Sequence, residues 1–331
     1  MKAVVMRETG GPEVLSLEEI EAPSMTSETQ VMVRIEAAGI NPIDTKLRSR
    51  GVFVEEGLPS VLGCDGAGVV VKVGRDVTQF RPGDEVWYCN GGMGGLQGNY
   101  AEFTVLDESV CCRKPVSIDF AHAAAAPLVL ITAWEALFGR ARLTNEKTLL
   151  VHAGAGGVGH VAIQLAKQAG VRVLTTVSTP EKRSFVTSLG ADEAIMYREN
   201  NFVDEVLRLT DGIGADVVLD TVGGEVFRES IYATSHYGDL VTLLDPGLDV
   251  DWKEARNRNL RISFTLMLTP MLRSLPQARA NQAAILSDCA EMIDNGSLKV
   301  SISECLPLAQ AARAHRIIEE GHAQGKLILE M

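Results

Sequence analysis

The sequence predicts an α/β protein in which a doubly wound parallel sheet follows a region of short β-strands. From Thr148 onward, apolar strand patterns alternate with longer helical patterns, which is typical of βαβ units. The first of these strands leads into the glycine-rich turn Gly154-Ala155-Gly156-Gly157-Val158-Gly159 and a helical pattern. The first third of the chain carries short β patterns separated by turn residues, a spacing that favours a compact barrel or sandwich.

The first region is predicted to be a series of strands bounded by turn formers. Its opening segment, 1–8, is interrupted by charge too early for a signal peptide and is predicted to be a strand. An Arg-Pro-Gly-Asp turn at 81–84 and a glycine loop at 91–95 separate later strands. The other strands are predicted at 31–38, 69–73, 85–88 and 100–105.

The alternating region follows two predicted helices, 118–126 and 131–138, the first with Ser117 or Asp119 available as a cap. Glycines end several of the later helical patterns. A helix at 309–320 and a strand at 326–330 close the chain. In the alternating region itself, strands are predicted at 148–152, 171–177, 194–197, 215–220 and 239–244, and helices at 158–169, 180–189, 202–210 and 226–235.

Composition narrows the class of partner. The 331 residues carry a net charge of −12, which argues against nucleic acid and anionic membranes, because both need a basic surface. No apolar run reaches the length of a membrane span. The six cysteines form no disulfide framework, and we expect reduced thiols in a cytoplasmic protein.

The glycine-rich turn predicts a dinucleotide site, because it stands between a strand and a helix. Gly154 is expected to permit the tight turn, Gly156 to let the backbone approach the pyrophosphate, and Gly159 to let helix and strand pack closely. The amides of Gly157 and Val158 then open the helix, whose N-terminus favours phosphate.

The next strand indicates which dinucleotide binds. An NAD site places an acid about 20 residues past the first glycine, to bind the ribose hydroxyls. This chain has Thr-Thr-Val-Ser-Thr at 175–179, followed by Lys182 and Arg183. The hydroxyl of Ser178 and the cation of Lys182 suit a 2′-phosphate, so NADPH is expected. The two cations also fit a solvated helix face.

Motifs spread over nearly the whole chain resemble the medium-chain dehydrogenase/reductases, in particular the zinc-independent quinone oxidoreductases related to zeta-crystallin. They occur in the order that this family shows. The motifs are Ala38-Gly39-Ile40-Asn41-Pro42-Ile43-Asp44, Leu62-Gly63-Cys64-Asp65-Gly66-Ala67-Gly68, Phe80-Arg81-Pro82-Gly83-Asp84-Glu85-Val86, Thr132-Ala133-Trp134, Ala155-Gly156-Gly157-Val158-Gly159, Leu189-Gly190-Ala191-Asp192, Asp220-Thr221-Val222-Gly223-Gly224 and Gly325-Lys326.

The resemblance implies a GroES-like β-barrel catalytic domain made of residues 1–128 and 269–331. A Rossmann domain, residues 129–268, is inserted between these parts, and the active site lies in the cleft between the domains. Family members are commonly dimers or tetramers joined through Rossmann edge strands. Residues 260–264 are the expected edge here.

The resemblance also bears on zinc. Zinc-containing members place Cys where this chain has Asn41 or Pro42, and His-Glu where it has Cys64-Asp65, with a third ligand near Leu130. A catalytic zinc needs at least three protein ligands, which these residues do not supply. The four-cysteine structural site is represented here by Cys89 alone. Neither zinc is expected.

Without zinc to hold an alkoxide, the expected reaction is hydride transfer from NADPH to a quinone or to the β-carbon of an enone. The resemblance assigns Asn41 to orienting cofactor or substrate. Lys46 stands where many relatives have Tyr, and with Arg48 it is a candidate for polarising a carbonyl; both also fit a solvated helix face. Asp44 is expected to cap the helix that follows.

Further cofactor contacts come from the resemblance alone. It implies that Thr132 meets the nicotinamide end, that Tyr197 lies near the adenosine phosphate, and that Val222 and Leu244 line the pocket. It places Lys326 near the cofactor. From their place in the glycine-rich loop, Met93 and Leu96 are expected to shape a mobile substrate lid. Four histidines are expected to be structural, namely His152, His160, His315 and His322.

Two other functions stay open at this point. The Lys at position 46 leaves room for a non-catalytic NADPH-binding sensor or a crystallin-like component. Residual alcohol dehydrogenase activity is a third reading, which the missing zinc ligands disfavour.

Overall fold

The computed structural model describes residues 1–321 and 323–331, so His322 lies outside it. The chain divides into two compact units. The first comprises residues 1–128, 268–296 and 300–331, and the second comprises residues 129–267 and 297–299. The predicted boundary at 268/269 therefore differs by one residue, and the short segment 297–299, which was assigned to the catalytic domain, belongs with the second unit.

The first unit is built mainly from antiparallel strands. Its longest strand, β3, pairs with three others and alternates buried and exposed side chains over its first half. This alternation is the pattern of a strand with one covered face. The strands are β1 (Lys2–Met6), β2 (Leu15–Glu19), β3 (Gln30–Ile40), β4 (Ser60–Val61), β5 (Asp65–Val73), β6 (Glu85–Cys89), β7 (Phe103–Asp107), β8 (Cys112–Arg113), β15 (Ile302–Pro307) and β16 (Lys326–Glu330).

These strands form two sheets. A three-stranded sheet has the order β2-β1-β4, and a seven-stranded sheet has the order β15-β16-β3-β5-β6-β8 with β7 also on β3. The last strand, β16, pairs with the end of β3, so that Leu327 lies opposite Ile40. This register brings the C-terminal tail beside the residues that follow β3.

Five α-helices accompany the first unit. They are α1 (Pro42–Arg50), α2 (Phe120–Ala125), α9 (Thr269–Leu272), α10 (Pro276–Asp294) and α11 (Ala311–Glu320). Short 3₁₀ helices cover Pro12–Val14, Glu108–Val110 and Leu308–Gln310. The cap of α2 is Asp119, whose carboxylate accepts from His122 N. The long α10 was not predicted, because its buried stripe (Arg279, Gln282, Leu286, Cys289 and Ile293) begins with two polar residues and so lacks a continuous apolar pattern.

The second unit holds a six-stranded sheet whose strands all run parallel. Its order is β11-β10-β9-β12-β13-β14, the doubly wound order that was predicted. The strand order reverses between β9 and β12: the strands after β9 are added on one side of it, and β12 and the later strands on the other. The strands are β9 (Thr148–Val151), β10 (Arg172–Val177), β11 (Glu193–Met196), β12 (Ala215–Asp220), β13 (Thr234–Thr242) and β14 (Arg261–Phe264).

The helix α3 (Pro127–Trp134) precedes these strands. The helices that connect them are α4 (Gly157–Gln168), α5 (Pro180–Ser188), α6 (Phe202–Leu209), α7 (Gly224–Ala233) and α8 (Trp252–Asn257). The predicted helix 131–138 is the end of α3 and a π-helical turn, Glu135–Arg140. Side-chain caps begin several helices, as where Asn201 accepts from the amides of Val203 and Asp204. Phe227 and Leu150, both fully buried, belong to the core on one face of the sheet.

The predicted edge strand is an edge in the structure, because β14 pairs only with β13 among the described residues. Its last residue, Phe264, is 56% exposed. None of the described helices is long and apolar enough to cross a membrane.

Candidate functional site

The glycine-rich turn connects β9 to α4 at the carboxyl edge of the parallel sheet. Ligands of such sheets bind at this edge, beside the point where the strand order reverses. A Cβ on Gly154 would lie 2.0 Å from Thr175 Oγ1, and one on Gly159 would lie 2.4 Å from the carbonyl oxygen of Ala153. Both positions therefore require glycine for packing, as expected for Gly159.

The turn itself depends on a different residue from the one predicted. Ala153 has a φ of 49°, in the left-handed region, whereas Gly154 lies outside that region. Such a conformation costs a residue with a Cβ about 1–3 kcal/mol. Ala153 is held there because its amide donates to Thr176 Oγ1 at 3.0 Å. Gly154 serves the turn through its lack of volume rather than through its φ.

Gly156 is open toward one side. Its backbone is extended, and an added Cβ would have a single close contact, 3.2 Å from the carbonyl oxygen of Ala153. Fold packing therefore constrains Gly156 less than Gly154 or Gly159. Gly156 is also the N-cap of α4 and offers no side chain to the first amides, including those of Gly157 and Val158. Amides of this kind, at the positive end of a helix dipole, bind phosphate.

The end of β10 lies beside the turn in the same sheet. Val177 is its last residue, Ser178 follows it half-buried, and Thr179 caps α5 by accepting from Lys182 N at 3.3 Å. Lys182 is half-buried, and the structure gives it no ion pair within residues 1–321 and 323–331. Tyr197 follows β11, and its amide donates to Val177 O at 3.2 Å. Ser178 and Tyr197 thus stand side by side at the carboxyl edge.

Asp220, at the end of β12, holds two further loops of this edge and was not singled out from the sequence. Its Oδ1 accepts from the amides of Val222 and Gly223, each at 2.9 Å. Its Oδ2 accepts from Thr242 Oγ1 at 2.7 Å, and Thr242 Oγ1 accepts in turn from Leu244 N. One buried carboxylate therefore fixes the loops that carry Val222 and Leu244. Asp followed by Thr-Val-Gly-Gly at a strand end was the available signal.

Most predicted cofactor residues of the second unit lie along this edge, on the loops after β9, β10, β11, β12 and β13. Val222 is 44% exposed and Leu244 is half-buried, so both present apolar surface there. Thr132 is placed differently, because it is buried within α3 rather than on a loop of the edge.

In the first unit, Asn41, Asp65 and Lys326 form a buried polar cluster at the ends of β3 and β16. Asn41 Nδ2 donates to Asp65 Oδ2 at 2.9 Å, and the Lys326 ammonium donates to Asn41 Oδ1 and, at 2.8 Å, to Ile40 O. Lys326 Nζ lies 3.6 Å from Asp65 Oδ2. Burial raises the pKa of Asp65 and lowers that of Lys326, while each opposes the shift of the other.

The N-cap of α1 is Asn41 rather than Asp44, which lies at the third helical position, N3. Asp44 still satisfies the helix start, because its Oδ2 accepts from Asn41 N at 2.8 Å. The same oxygen accepts from Tyr100 OH at 2.9 Å. His315 Nε2 lies 3.3 Å from this hydroxyl. Asp44 is fully buried, and burial raises its pKa to about 7. Burial also lowers the pKa of His315 to about 3, with the nearby Arg48 adding to the effect.

The two cations predicted on α1 have different surroundings. The Arg48 guanidinium is buried, donates to Gly10 O at 3.0 Å, and pairs with Glu319 at 2.6 Å. Lys46 is half-buried, and burial lowers its pKa. No ion pair of Lys46 occurs in the part of the chain that the structure describes. Arg48 is thus tied to α11, whereas Lys46 retains an uncommitted charge.

The residues at the former zinc positions do not fit a zinc ion. Burial raises the pKa of the Cys64 thiol well above its ordinary value, whereas zinc binds the thiolate. Asp65 accepts from Leu128 N and Asn41 Nδ2 and lies beside the Lys326 ammonium. Among residues 1–321 and 323–331, no group of three or more His, Cys, Asp or Glu could hold a metal ion.

Two family models match the chain. The alcohol dehydrogenase GroES-like domain matches residues 27–116, within the first unit. The zinc-binding dehydrogenase model matches residues 189–329. The second description names a metal whose ligands this chain does not supply at the positions considered above.

Relatives match over the whole chain. The quinone oxidoreductase of Pseudomonas aeruginosa is 36% identical over 320 residues, covering 97% of this chain and 96% of the relative. The crystal structure of Escherichia coli quinone oxidoreductase complexed with NADPH is 30% identical, with a TM-score of 0.89 and full coverage of both chains. A solved NAD-dependent alcohol dehydrogenase is 32% identical, also with a TM-score of 0.89 and full coverage.

Replacing Asp44 by Asn is expected to remove a pH dependence of stability. Burial raises the pKa of the folded carboxyl to about 7 from its ordinary value of 3.8, so the folded state keeps a proton that the unfolded state releases. This contribution is complete below about pH 4 and is lost as the pH rises toward the folded pKa. The slope is at most about 1.4 kcal/mol per pH unit.

Buried His315 and His152 give slopes of the opposite sign below their ordinary pKa of 6.5, because burial lowers their pKa values to about 3 and about 4. The measurement is therefore the difference in free energy of urea unfolding between wild type and Asp44→Asn, from about pH 4 to about pH 8. The relative stability of the wild type should fall toward neutral pH and then level off. A difference independent of pH would contradict the assignment.

Proposed function

The chain belongs to the quinone oxidoreductase branch of the medium-chain dehydrogenase/reductases, and we propose that it is an NADPH-dependent reductase of quinones or α,β-unsaturated carbonyls that acts without zinc. The observation that carries the proposal is the carboxyl edge of the second unit. There, helix amides that receive no side-chain cap follow a glycine turn, beside a strand end, 175–179, that holds hydroxyls and no acid and is followed by the cation of Lys182.

NADPH is favoured over NADH by the residues after β10. An NAD site would place a carboxylate there for the ribose hydroxyls. The chain offers Ser178, Thr179 and Lys182 instead, and the register of β10 and β11 adds Tyr197. A hydroxyl and a cation together suit a phosphate dianion. The NADPH in the Escherichia coli relative supports the same choice.

An apolar acceptor is supported by two loops of the first unit. Phe53 N donates to Met93 O at 3.0 Å, and Gly95 N donates to Gly57 O at 2.7 Å, so that the two loops lie together. Phe53 and Leu96 are 53% and 42% exposed, respectively. Large apolar side chains in one exposed patch indicate contact with an apolar molecule. We propose that these loops bind the quinone or enone, with Met93 buried beneath them.

NADPH, when bound, supplies a hydride to the acceptor. The protein then needs a donor for the negative charge that develops on the carbonyl oxygen. We assign this role to Lys46, because its ammonium is half-buried and has no ion pair among the described residues. Arg48, which was a candidate for the same role, we now assign to holding α1 against α11 through Glu319.

We propose that Asn41 and Lys326 orient the cofactor or substrate. Their buried hydrogen bonds with each other and with Asp65 fix the Asn41 amide in one rotamer. A preorganised amide costs no reorientation when the ligand binds. Thr132 is assigned to the nicotinamide end on the resemblance alone.

In this proposal the reaction does not require zinc, because Cys64 and Asp65 are not available as zinc ligands. Cys64 is held protonated by burial, and Asp65 is occupied by its three partners. Dialysis against a zinc chelator should leave turnover unchanged.

We propose a cytoplasmic location, with which the six thiols, free in the structure, agree.

The reaction is tested by incubating the protein with NADPH and a panel of quinones, enones and simple ketones, following the loss of NADPH absorbance. Lys46→Met, which keeps side-chain length and removes the charge, should lower kcat for the best acceptor by about 100-fold, as loss of a transition-state donor does.

Arg50→Met is the matched control, since Arg50 is an exposed cation on the same helix. Its turnover should stay near that of the wild type. Binding of NADPH without turnover across the panel would favour a sensor over an enzyme. Unaltered turnover of Lys46→Met would remove Lys46 from the mechanism.

The 2′-phosphate assignment is tested with Lys182→Ala. The KM for NADPH should rise by roughly 10-fold, as for loss of one charge-assisted contact, while the KM for NADH changes little. Arg172→Ala is the control, because Arg172 is an exposed cation at the opposite end of β10. Equal effects on both cofactors, or a wild-type preference for NADH, would contradict the assignment.

We propose that the chain forms a homodimer, or a tetramer built from such dimers, through β14. This edge strand exposes backbone donors and acceptors beside Phe264, and the next segment exposes half of Leu266. Phe264→Asp should lower the sedimentation coefficient, measured by sedimentation velocity, to that of a monomer. Ile213→Asp, at an exposed turn, should not. A wild-type protein that sediments as a monomer would overturn the proposal.

A further inference from the structure

His152 is the residue between strand β9 and the glycine-rich turn, and its imidazole is buried in the second unit. The ring packs edge-on against Phe202, with centroids 4.7 Å apart. Its two nitrogens face hydroxyl groups from different elements, Thr176 on β10 and Ser230 on α7. The functions assigned above do not use this side chain, although it adjoins the proposed cofactor turn.

The directions of its hydrogen bonds are fixed by what the hydroxyl groups already do. Ser230 donates to Val226 O at 2.6 Å, so at 2.9 Å its oxygen can only accept from His152 Nε2. Burial lowers the pKa of His152 to about 4, and the neutral ring has a single N–H, which is then on Nε2. His152 Nδ1 must therefore accept, at 3.2 Å, from the hydroxyl of Thr176.

This leaves the oxygen of Thr176 free to accept, and it accepts from Ala153 N at 3.0 Å. The carbonyl of Thr176 accepts from the next amide, that of Gly154, at 3.1 Å. Thr176 thus binds two successive amides of the turn. The first belongs to Ala153, whose φ of 49° makes it the left-handed residue of that turn.

We propose that His152 is a positioning residue for the dinucleotide. By accepting the Thr176 hydroxyl hydrogen at Nδ1, it aims the Thr176 oxygen at Ala153 N and so sets the course of the backbone into Gly156 and the first amides of α4. The inference rests on the proposed function in taking NADPH as the ligand of that turn. His152 does not touch the ligand in this account; it acts through Thr176.

Two substitutions of His152 distinguish the role of Nδ1 from the role of Nε2. Asn places its amide oxygen close to the position of Nδ1, whereas Gln places its amide close to the position of Nε2. His152→Asn therefore keeps the acceptor for Thr176 and loses the contact with Ser230, and His152→Gln does the reverse. Both lose the packing against Phe202, so any general loss of stability is shared and serves as the internal control.

The test measures the Kd for NADPH by fluorescence titration, the steady-state constants, and hydrogen exchange of the Ala153 amide in the ligand-free protein. His152→Gln should raise Kd and KM for NADPH by roughly 5- to 10-fold, the effect of one lost hydrogen bond, with kcat nearly unchanged. Its Ala153 amide should exchange faster. His152→Asn should retain most of the affinity and of the protection.

Equal Kd values and equal exchange in the two variants would overturn the proposal, because a purely structural ring would give that result. If the variants do not fold, Thr176→Ser and Thr176→Val test the hydroxyl through which His152 acts, since only Ser keeps it. Equal Kd values and equal exchange in that pair would also overturn the proposal. A wild type that does not bind NADPH refutes the proposed function instead. In that case, Ala153 exchange still decides whether His152 sets the turn.

Discussion

The close approach of α4 to the end of β9 is the constraint on which the second unit depends. It is possible only because Gly154 lies against Thr175 and Gly159 lies against the carbonyl of Ala153, where a Cβ would lie within 2.4 Å of another atom. This approach points the first amides of α4 across the carboxyl edge of the sheet. The edge then gathers the loops after five parallel strands, and its chemistry follows from what each loop presents there.

The first unit depends on buried charge in a comparable way. Asp65, Asn41 and Lys326 satisfy one another through buried hydrogen bonds and an ion pair. A buried ammonium beside a buried carboxylate is tolerated because both keep hydrogen-bond partners. The cluster forms a fixed polar framework at the start of α1, and the same helix presents the half-buried cation of Lys46.

Local pattern was sufficient to predict the alternation of the second unit. Strands such as β12 (Ala215–Asp220) and caps such as Asp119 are set by residues close in sequence. The same holds for the cap on α1, where Asp44 and Asn41 are three residues apart. The glycine turn and its place in the sheet were predicted for the same reason.

What the sequence could not show depends on distant contacts. The sequence predicted Arg48 as a catalytic candidate, but it could not show that its guanidinium pairs with Glu319, 271 residues away. The left-handed residue of the turn is Ala153 rather than a glycine, because Thr176 on the neighbouring strand holds its amide. Asp220 fixes the loop after its own strand and, through Thr242 on the neighbouring strand, the loop after β13. Such roles need three-dimensional adjacency, which periodicity does not carry.

Hydride transfer from the bound dinucleotide to the β-carbon of an enone is the step on which the proposed function depends. It is tested most directly by turning over an enone with NADPH deuterated at the transferable position of the nicotinamide and analysing the product by mass spectrometry and NMR. The expected product is a saturated ketone with one deuterium on the β-carbon, formed together with NADP⁺. Recovery of a ketone without deuterium, or of an allylic alcohol labelled at the carbonyl carbon, would contradict it.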